Sequence, residues 1–315
     1  MKKSIRDGFG EAIEELGQKD ERIVVLTADL AESTRVDGFA RAFPDRFFQV
    51  GVAEQGMVTI AAGLAEEGKI PFATSYAVFS PGRTFEQIKV TAALNDVPVK
   101  IVGAHAGFGA AMYGATHESL EDIALMRVIP NMVVVVPCDY EEAKKAVFAI
   151  AENGKPSYLR LARQDSPILT RKDSEFEIGK ANILMDGKDP QVAIIGTGPI
   201  LAEAIKAAEE LTRSILVSCQ VINLHTIKPI DELAIIRAAK TCGAIVTVEE
   251  HQVAGGMGSA VAEVLARNFP VPMEFIGVQD SFAESGTPED MYKKFRMTAS
   301  DIIEAVKKVI LRKNS

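Results

Sequence analysis

Tryptophan is missing from the 315 residues, cysteine occurs only three times and aromatic residues make up 6%. Cys138, Cys219 and Cys242 are far apart, odd in number and never spaced as Cys-x-x-Cys, which argues against a disulfide framework or a zinc site and for buried thiols. Basic charge is short as well: 35 Lys and Arg face 43 Asp and Glu, a formal net charge of −8. General affinity for nucleic acid or an anionic membrane needs clustered Lys and Arg and is therefore disfavoured. A few local arginines still suffice to bind one phosphate. Long apolar runs are also lacking: residues 132–137 and 192–195 are strand-length, far below the ~20 residues of a membrane span. Lys2, Lys3 and Arg6 are not followed by an apolar core before Glu11, a pattern unlike a secretory leader, so the expected location is cytoplasmic. There is no internal repeat and no low-complexity tract.

What the chain does contain is 47% hydrophobic and 25% charged residues, an ordinary globular balance over a length that divides into two domains. Val- and Ile-rich runs at 23–27, 47–50, 70–75, 97–104 and 133–137 alternate with amphipathic stretches. Near-continuous apolar strands separated by helices predict a mainly parallel sheet with helices on both faces. Polar and turn residues interrupt this rhythm over 164–189, where one or two short strands are expected. A second series follows, with strands at 191–196, 215–224, 244–249 and 273–278 and helices at 200–212, 231–240, 258–268 and 298–311. Thr298 and Asp301 have the spacing of a capping box with Asp in place of Glu or Gln. The reading is thus α/β in two domains, residues 1–165 and 191–315, joined by a linker over 166–190.

Candidate chemistry begins with Gly51-Val52-Ala53-Glu54-Gln55-Gly56-Met57, which sets one carboxylate where an extended segment enters an alanine-rich helix. By itself such a carboxylate reads as a helix cap or a partner of the helix dipole. Tyr76-Ala77-Val78-Phe79, His105-Ala106-Gly107-Phe108-Gly109, Gly114-Ala115-Thr116-His117-Glu118 and Ile129-Pro130-Asn131-Met132 then follow in order. Each has a bland reading too, since aromatic residues three apart usually belong to a core and a lone histidine is usually structural. His117-Glu118 does not open a zinc-protease helix, because position 121 is Glu rather than His. Taken together, these segments resemble the C-terminal half of a transketolase, over nearly the whole chain. Asn223-Leu224-His225-Thr226-Ile227-Lys228-Pro229 and Glu249-Glu250-His251 continue the resemblance in the second domain, a domain that in this family usually serves assembly.

The resemblance implies a pyrimidine-binding domain, a transketolase C-terminal domain and thiamine diphosphate as cofactor. That cofactor's thiazolium ring loses a proton to its own aminopyrimidine and attacks a substrate carbonyl, while the protein tunes the ring. Glu54 matches the glutamate that bonds the pyrimidine, Tyr76 and Phe79 match aromatic residues against that ring, and Asp29 matches an acid near the cofactor and the subunit interface. A third aromatic position is Gly82 here. His105, at the end of an expected strand of an open α/β sheet, matches a histidine between cofactor and sugar, and His117 matches a second histidine that touches the sugar hydroxyls. Arg163, Arg6 and Ser33 align with positions that hold the sugar phosphate. Tyr113 replaces an Asp that binds a substrate hydroxyl in many transketolases, which leaves sugar selectivity open to branched or unusual sugar phosphates.

The family's Gly-Asp-Gly motif, which anchors the diphosphate through Mg2+, is absent from the sequence. Gly196-Thr197-Gly198 is no dinucleotide fingerprint, since residue 201 is Leu. The resemblance therefore implies a split enzyme: an N-terminal partner subunit supplies the metal ligands, and a homodimer of this chain sits within a heterotetramer. The 2-oxo acid dehydrogenase β subunit and 1-deoxyxylulose-5-phosphate synthase share the glutamate and are the alternatives, with a non-catalytic assembly subunit as a third.

Overall fold

The structure, a computed structural model, describes residues 2–314, so Met1 and Ser315, the outermost residues of the two expected domains, lie outside the described residues. The first half of the chain forms strands β1 (Lys2–Ser4), β2 (Ile23–Thr27), β3 (Phe47–Gln49), β4 (Ile70–Tyr76), β5 (Lys100–Ala104), β6 (Val133–Val135), β7 (Ser157–Leu161) and β8 (Asp165–Pro167). The second half adds β9 (Asn182–Asp186), β10 (Val192–Gly196), β11 (Cys219–Asn223), β12 (Thr226–Lys228), β13 (Ile245–Gln252) and β14 (Met273–Val278). Strands β2 to β7 pair in parallel in the order β6-β7-β5-β4-β2-β3. The second sheet runs β14-β13-β10-β11-β9, parallel except for β9.

Successive strand residues point to opposite faces. Ile23, Val25, Phe72, Val102 and Leu159 meet Phe9 and Ile13 of the helix Ile5–Lys19 and Ala143 and Val147 of the helix Tyr140–Glu152. Val24, Leu26, Ala73 and Ile101 turn the other way, onto Met57, Ala61 and Ala65 of the helix Glu54–Glu66. With both faces covered, the strands read as unbroken apolar runs, and each fully buried Leu, Ile or Phe contributes roughly 1.5–3 kcal/mol. The second of these cores continues through Ala193, Ile195, Ile222, Ala239 and Met257, so one apolar layer joins the two lobes.

Two strand starts differ from the sequence reading. The strand expected from 215 starts at Cys219, because the helix Leu201–Ile215 keeps its apolar period and ends on Leu216 in the left-handed region (φ 55°). The strand expected from 97 starts at Lys100. The two short strands of the 164–189 segment serve different partners, β8 pairing with β1 and β9 joining the second sheet. Unforeseen was β12, which crosses from the second lobe and pairs antiparallel with β6, becoming the edge of the first sheet. Thr298 donates its hydroxyl and its N–H to Asp301 before the helix Ala299–Asn314, while the full reciprocal capping box is Thr287–Asp290 at the helix Pro288–Lys294.

The carboxyl ends of β2, β4, β5 and β7 share one edge of the first sheet, the edge where open α/β sheets hold their ligands. Asp29, Tyr76, His105 and Arg163 lie at or within two residues of those ends.

Candidate active site

Beyond the end of β4 the chain turns sharply, with Phe79 and Ser80 N–H groups donating to Tyr76 O, and the Tyr76 and Phe79 rings stack at 5.9 Å and 13°. His105 packs on Tyr76 with ring centroids 3.9 Å apart, His117 meets Phe79 edge-on at 5.5 Å, and Tyr113 lies 5.4 Å from His117. Five of the candidate residues thus form one continuous aromatic surface. Glu54, the first residue of its helix and 2% exposed, accepts from Arg83 Nη1 at 2.9 Å and from Ser75 Oγ at 3.5 Å.

Arg83 did not stand out in the sequence. It enters because Gly82 cannot be an aromatic residue here: a Cβ at that position would lie 2.2 Å from Val78 O. The neighbouring Arg83 guanidinium lies 4.9 Å from the centre of the Phe79 ring. The only sequence signal was a single basic residue beside the departure from the aromatic motif.

A cationic group adjoins this surface. Arg6 Nη1 donates to Ser33 O at 2.6 Å and lies 3.5 Å from His105 Nε2, while Nη2 donates to Arg163 O at 3.4 Å. Ser33 therefore contacts Arg6 through its carbonyl rather than its hydroxyl. The Arg163 guanidinium lies 6.0 Å from the Tyr113 ring. Burial, followed by repulsion from Arg35 and Arg163, lowers Arg6 to about 10. Burial, followed by Arg6, Arg163 and Arg35, pushes His105 down to about 3, so its imidazole is neutral at physiological pH. Arg6 Nε and His105 Nδ1 are buried without partners among the described residues, and Arg6, Arg163, Gly109 and Asp165 line a cavity of about 280 Å³. Such a set can hold an anion against arginines and offer a neutral imidazole beside it. Asp29 is apart from it: exposed, at φ 61°, with its N–H on Gln49 Oε1 and no bond to Glu54 or the arginines.

His105 itself has φ 57°, an uncommon value for a non-glycine residue, and turns the chain into the loop 107–114. Gly107, at φ 63°, is required there because a Cβ would lie 2.3 Å from Glu250 Oε2. Phe108 stacks on Phe295 at 5.5 Å, and Gly286 N–H donates to Ala111 O at 3.1 Å. Beneath it, the buried Arg160 pairs with Asp122 at 2.7 Å and donates to Glu250 O at 2.8 Å. The second lobe thus shapes the loop that carries Tyr113, a contribution that its expected assembly role left out.

Residues 1–168 match the transketolase pyrimidine-binding domain and residues 179–302 the transketolase C-terminal domain. This chain belongs to the transketolase family. A putative transketolase C-terminal section of Methanocaldococcus jannaschii is 45% identical over 307 residues, covering 96% of this chain and 95% of that one. A 6-deoxy-6-sulfo-D-fructose transketolase subunit of Clostridium sp. is 42% identical, covering 98% of this chain and 95% of its own. Among solved structures, a split-gene transketolase described as an inactive β4 tetramer superposes with a TM-score of 0.89 at 42% identity, covering 98% of both chains. These matches identify a transketolase C-terminal section of the split kind, and do not favour the dehydrogenase β subunit or the deoxyxylulose phosphate synthase.

Proposed function

We propose that this chain is the C-terminal subunit of a two-subunit transketolase, which moves a two-carbon ketol unit from a ketose phosphate to an aldose phosphate with thiamine diphosphate. The observation that carries this reading is the meeting of a buried carboxylate, a stacked aromatic pair and an arginine–histidine contact on one sheet edge. The residues fit the pyrimidine half of the cofactor: among the described residues Glu54 Oε1 has only Ser75 as a partner, at 3.5 Å, and Arg83 links this carboxylate to the stacked Tyr76 and Phe79 rings. When bound, the cofactor supplies the carbanion-type chemistry at the substrate carbonyl. Glu54 holds a proton at the pyrimidine nitrogen, and Tyr76 and Phe79 fix the ring plane. Arg6 and Arg163 hold the phosphate, Ser33 through its carbonyl orients Arg6, and the neutral imidazole of His105 faces the sugar oxygens together with the His117 ring. Asp29 serves the subunit interface.

The sequence has no Gly-Asp-Gly, so Mg2+ and the diphosphate fall to an N-terminal partner, in an assembly with two copies of each chain. The pyrimidine domain extends to about residue 165 and the C-terminal domain starts near 191, with the linker between. No helix among the described residues is long and apolar enough to cross a membrane, and the three free cysteines are buried. We place the enzyme in the cytoplasm on the thiols.

Calorimetric titration of thiamine diphosphate with Mg2+ tests the reading. Binding is expected for the mixture with a Gly-Asp-Gly partner and not for this chain alone; tight binding to the isolated chain overturns the half-site. In the mixture, Glu54→Ala is expected to lower turnover by at least 100-fold, and full turnover in that variant removes Glu54 from its role.

A further inference from the structure

Beside the aromatic surface lies a second cleft, of about 470 Å³, that the ketol-transfer reading leaves unused. Glu118, next in sequence to His117, lines it: it is 4% exposed, and neither carboxylate oxygen has a hydrogen-bond partner among the described residues. Glu121, whose Oε2 accepts from Leu120 N–H at 2.8 Å, and the exposed Asp280 line the same cleft. No cation-bearing side chain lines it. An orphaned buried carboxylate is a costly group in a folded chain unless a partner arrives.

The form of that partner follows from the walls. Among the described residues, no group of three or more His, Cys, Asp or Glu side chains is close enough to hold a metal ion, so these acids do not converge on a point charge. A carboxylate without a partner in a cleft lined by further acids suits an ammonium or guanidinium on a side chain. Phe282, 89% exposed, also lines the cleft and adds an aromatic ring, a group that attracts such cations.

The cleft also lies where another chain has to sit. Val78, between Tyr76 and Phe79, and Ala115, two residues before His117, line it, so it opens on the same face as the proposed half-site. Val52, two residues before Glu54, is 74% exposed, Met112 70% and Tyr113 53%, so large apolar groups stand uncovered around that face. Such a grouping marks a surface that another protein covers. We propose that the Glu118 cleft is a socket for a basic side chain of the N-terminal partner subunit, docking that subunit against the half-site. The inference rests on the two-subunit reading. Burial raises the Glu118 carboxyl to about 7, and an entering cation would draw it toward its charged form.

Affinity between this chain and the Gly-Asp-Gly partner, measured by sedimentation velocity at two salt concentrations, tests the socket. Glu118→Gln is expected to weaken assembly at least tenfold and to flatten its salt dependence, Phe282→Ala to weaken it a few-fold, and the remote Glu304→Gln to leave it unchanged. Glu118→Leu keeps the question separate from folding: the isolated variant should melt at or above the wild-type temperature while assembling poorly. Wild-type affinity in both Glu118 variants overturns the socket and leaves the two-subunit reading standing. Failure of the wild-type chain to assemble with that partner overturns both.

Discussion

Glu54 is held unequally, by Arg83 at 2.9 Å and by Ser75 at 3.5 Å, and its stronger partner is half exposed to water. Because Glu54 itself is buried, Arg83 can leave the carboxylate only where another donor takes its place. Of these residues, Glu54, His105 and His117 were legible because their order and spacing survive in one dimension. Arg83 and the carbonyl role of Ser33 were not, because side-chain direction depends on the steric exclusion at Gly82 and on the turn around Arg6. Tyr113 is the residue whose substitution speaks most directly to sugar choice. Its ring adjoins His117 and Arg163, and restoring a carboxylate there by Tyr113→Asp should raise the preference for acceptors with a hydroxyl next to the aldehyde by about tenfold. Competition between hydroxylated and deoxy acceptors, read as a ratio of kcat/KM, checks this; an unchanged ratio removes Tyr113 from selectivity.

At the scale of elements, the buried strands were readable because each is apolar on both faces, and the amphipathic helices because their apolar residues recur every three or four positions. β12 escaped notice because Thr226-Ile227-Lys228 is too short to show a period and finds its partner only in space. The linker hid its division of labour for the same reason. The loop 107–114 depends on contacts from the far lobe, which no local pattern announces. Gly107 is the point where that dependence is sharpest, combining φ 63° with the close approach of Glu250. Gly107→Ala should destabilise the chain by about 1–3 kcal/mol, since a Cβ at positive φ is strained and the carboxylate must also move. Urea denaturation measures the loss, and turnover should fall with it because Tyr113 and His105 flank the loop.

Across the whole molecule, buried titratable groups oppose one another. Burial, chiefly, pushes His225 and His251 down to about 4 and the Glu142 and Glu249 carboxyls up to about 7. A histidine with a lowered value supports the fold above its unfolded value of ~6.5, and that support fades as pH falls toward the folded value. The raised carboxyls act in reverse, supporting the fold in acid and losing that support as pH rises from about 4.5 to about 7. His251, fully buried between Asp122 and Arg160, isolates the first effect. The stability difference between wild type and His251→Gln should shrink by on the order of 3 kcal/mol as pH falls from about 6.5 to about 4. Urea titrations at three pH values across that range measure it, and a constant difference would show that His251 titrates normally.

The edge strand β12 limits how this molecule can be recombined. A hybrid joined at residue 190 would bring a foreign edge strand to β6 along with its new second lobe, and the graft would have to match Val134 and Val135 as well as its own core. Productive chimaeras should instead keep residues 225–229 with the first lobe, so the heritable unit is the pair of lobes and not either one alone.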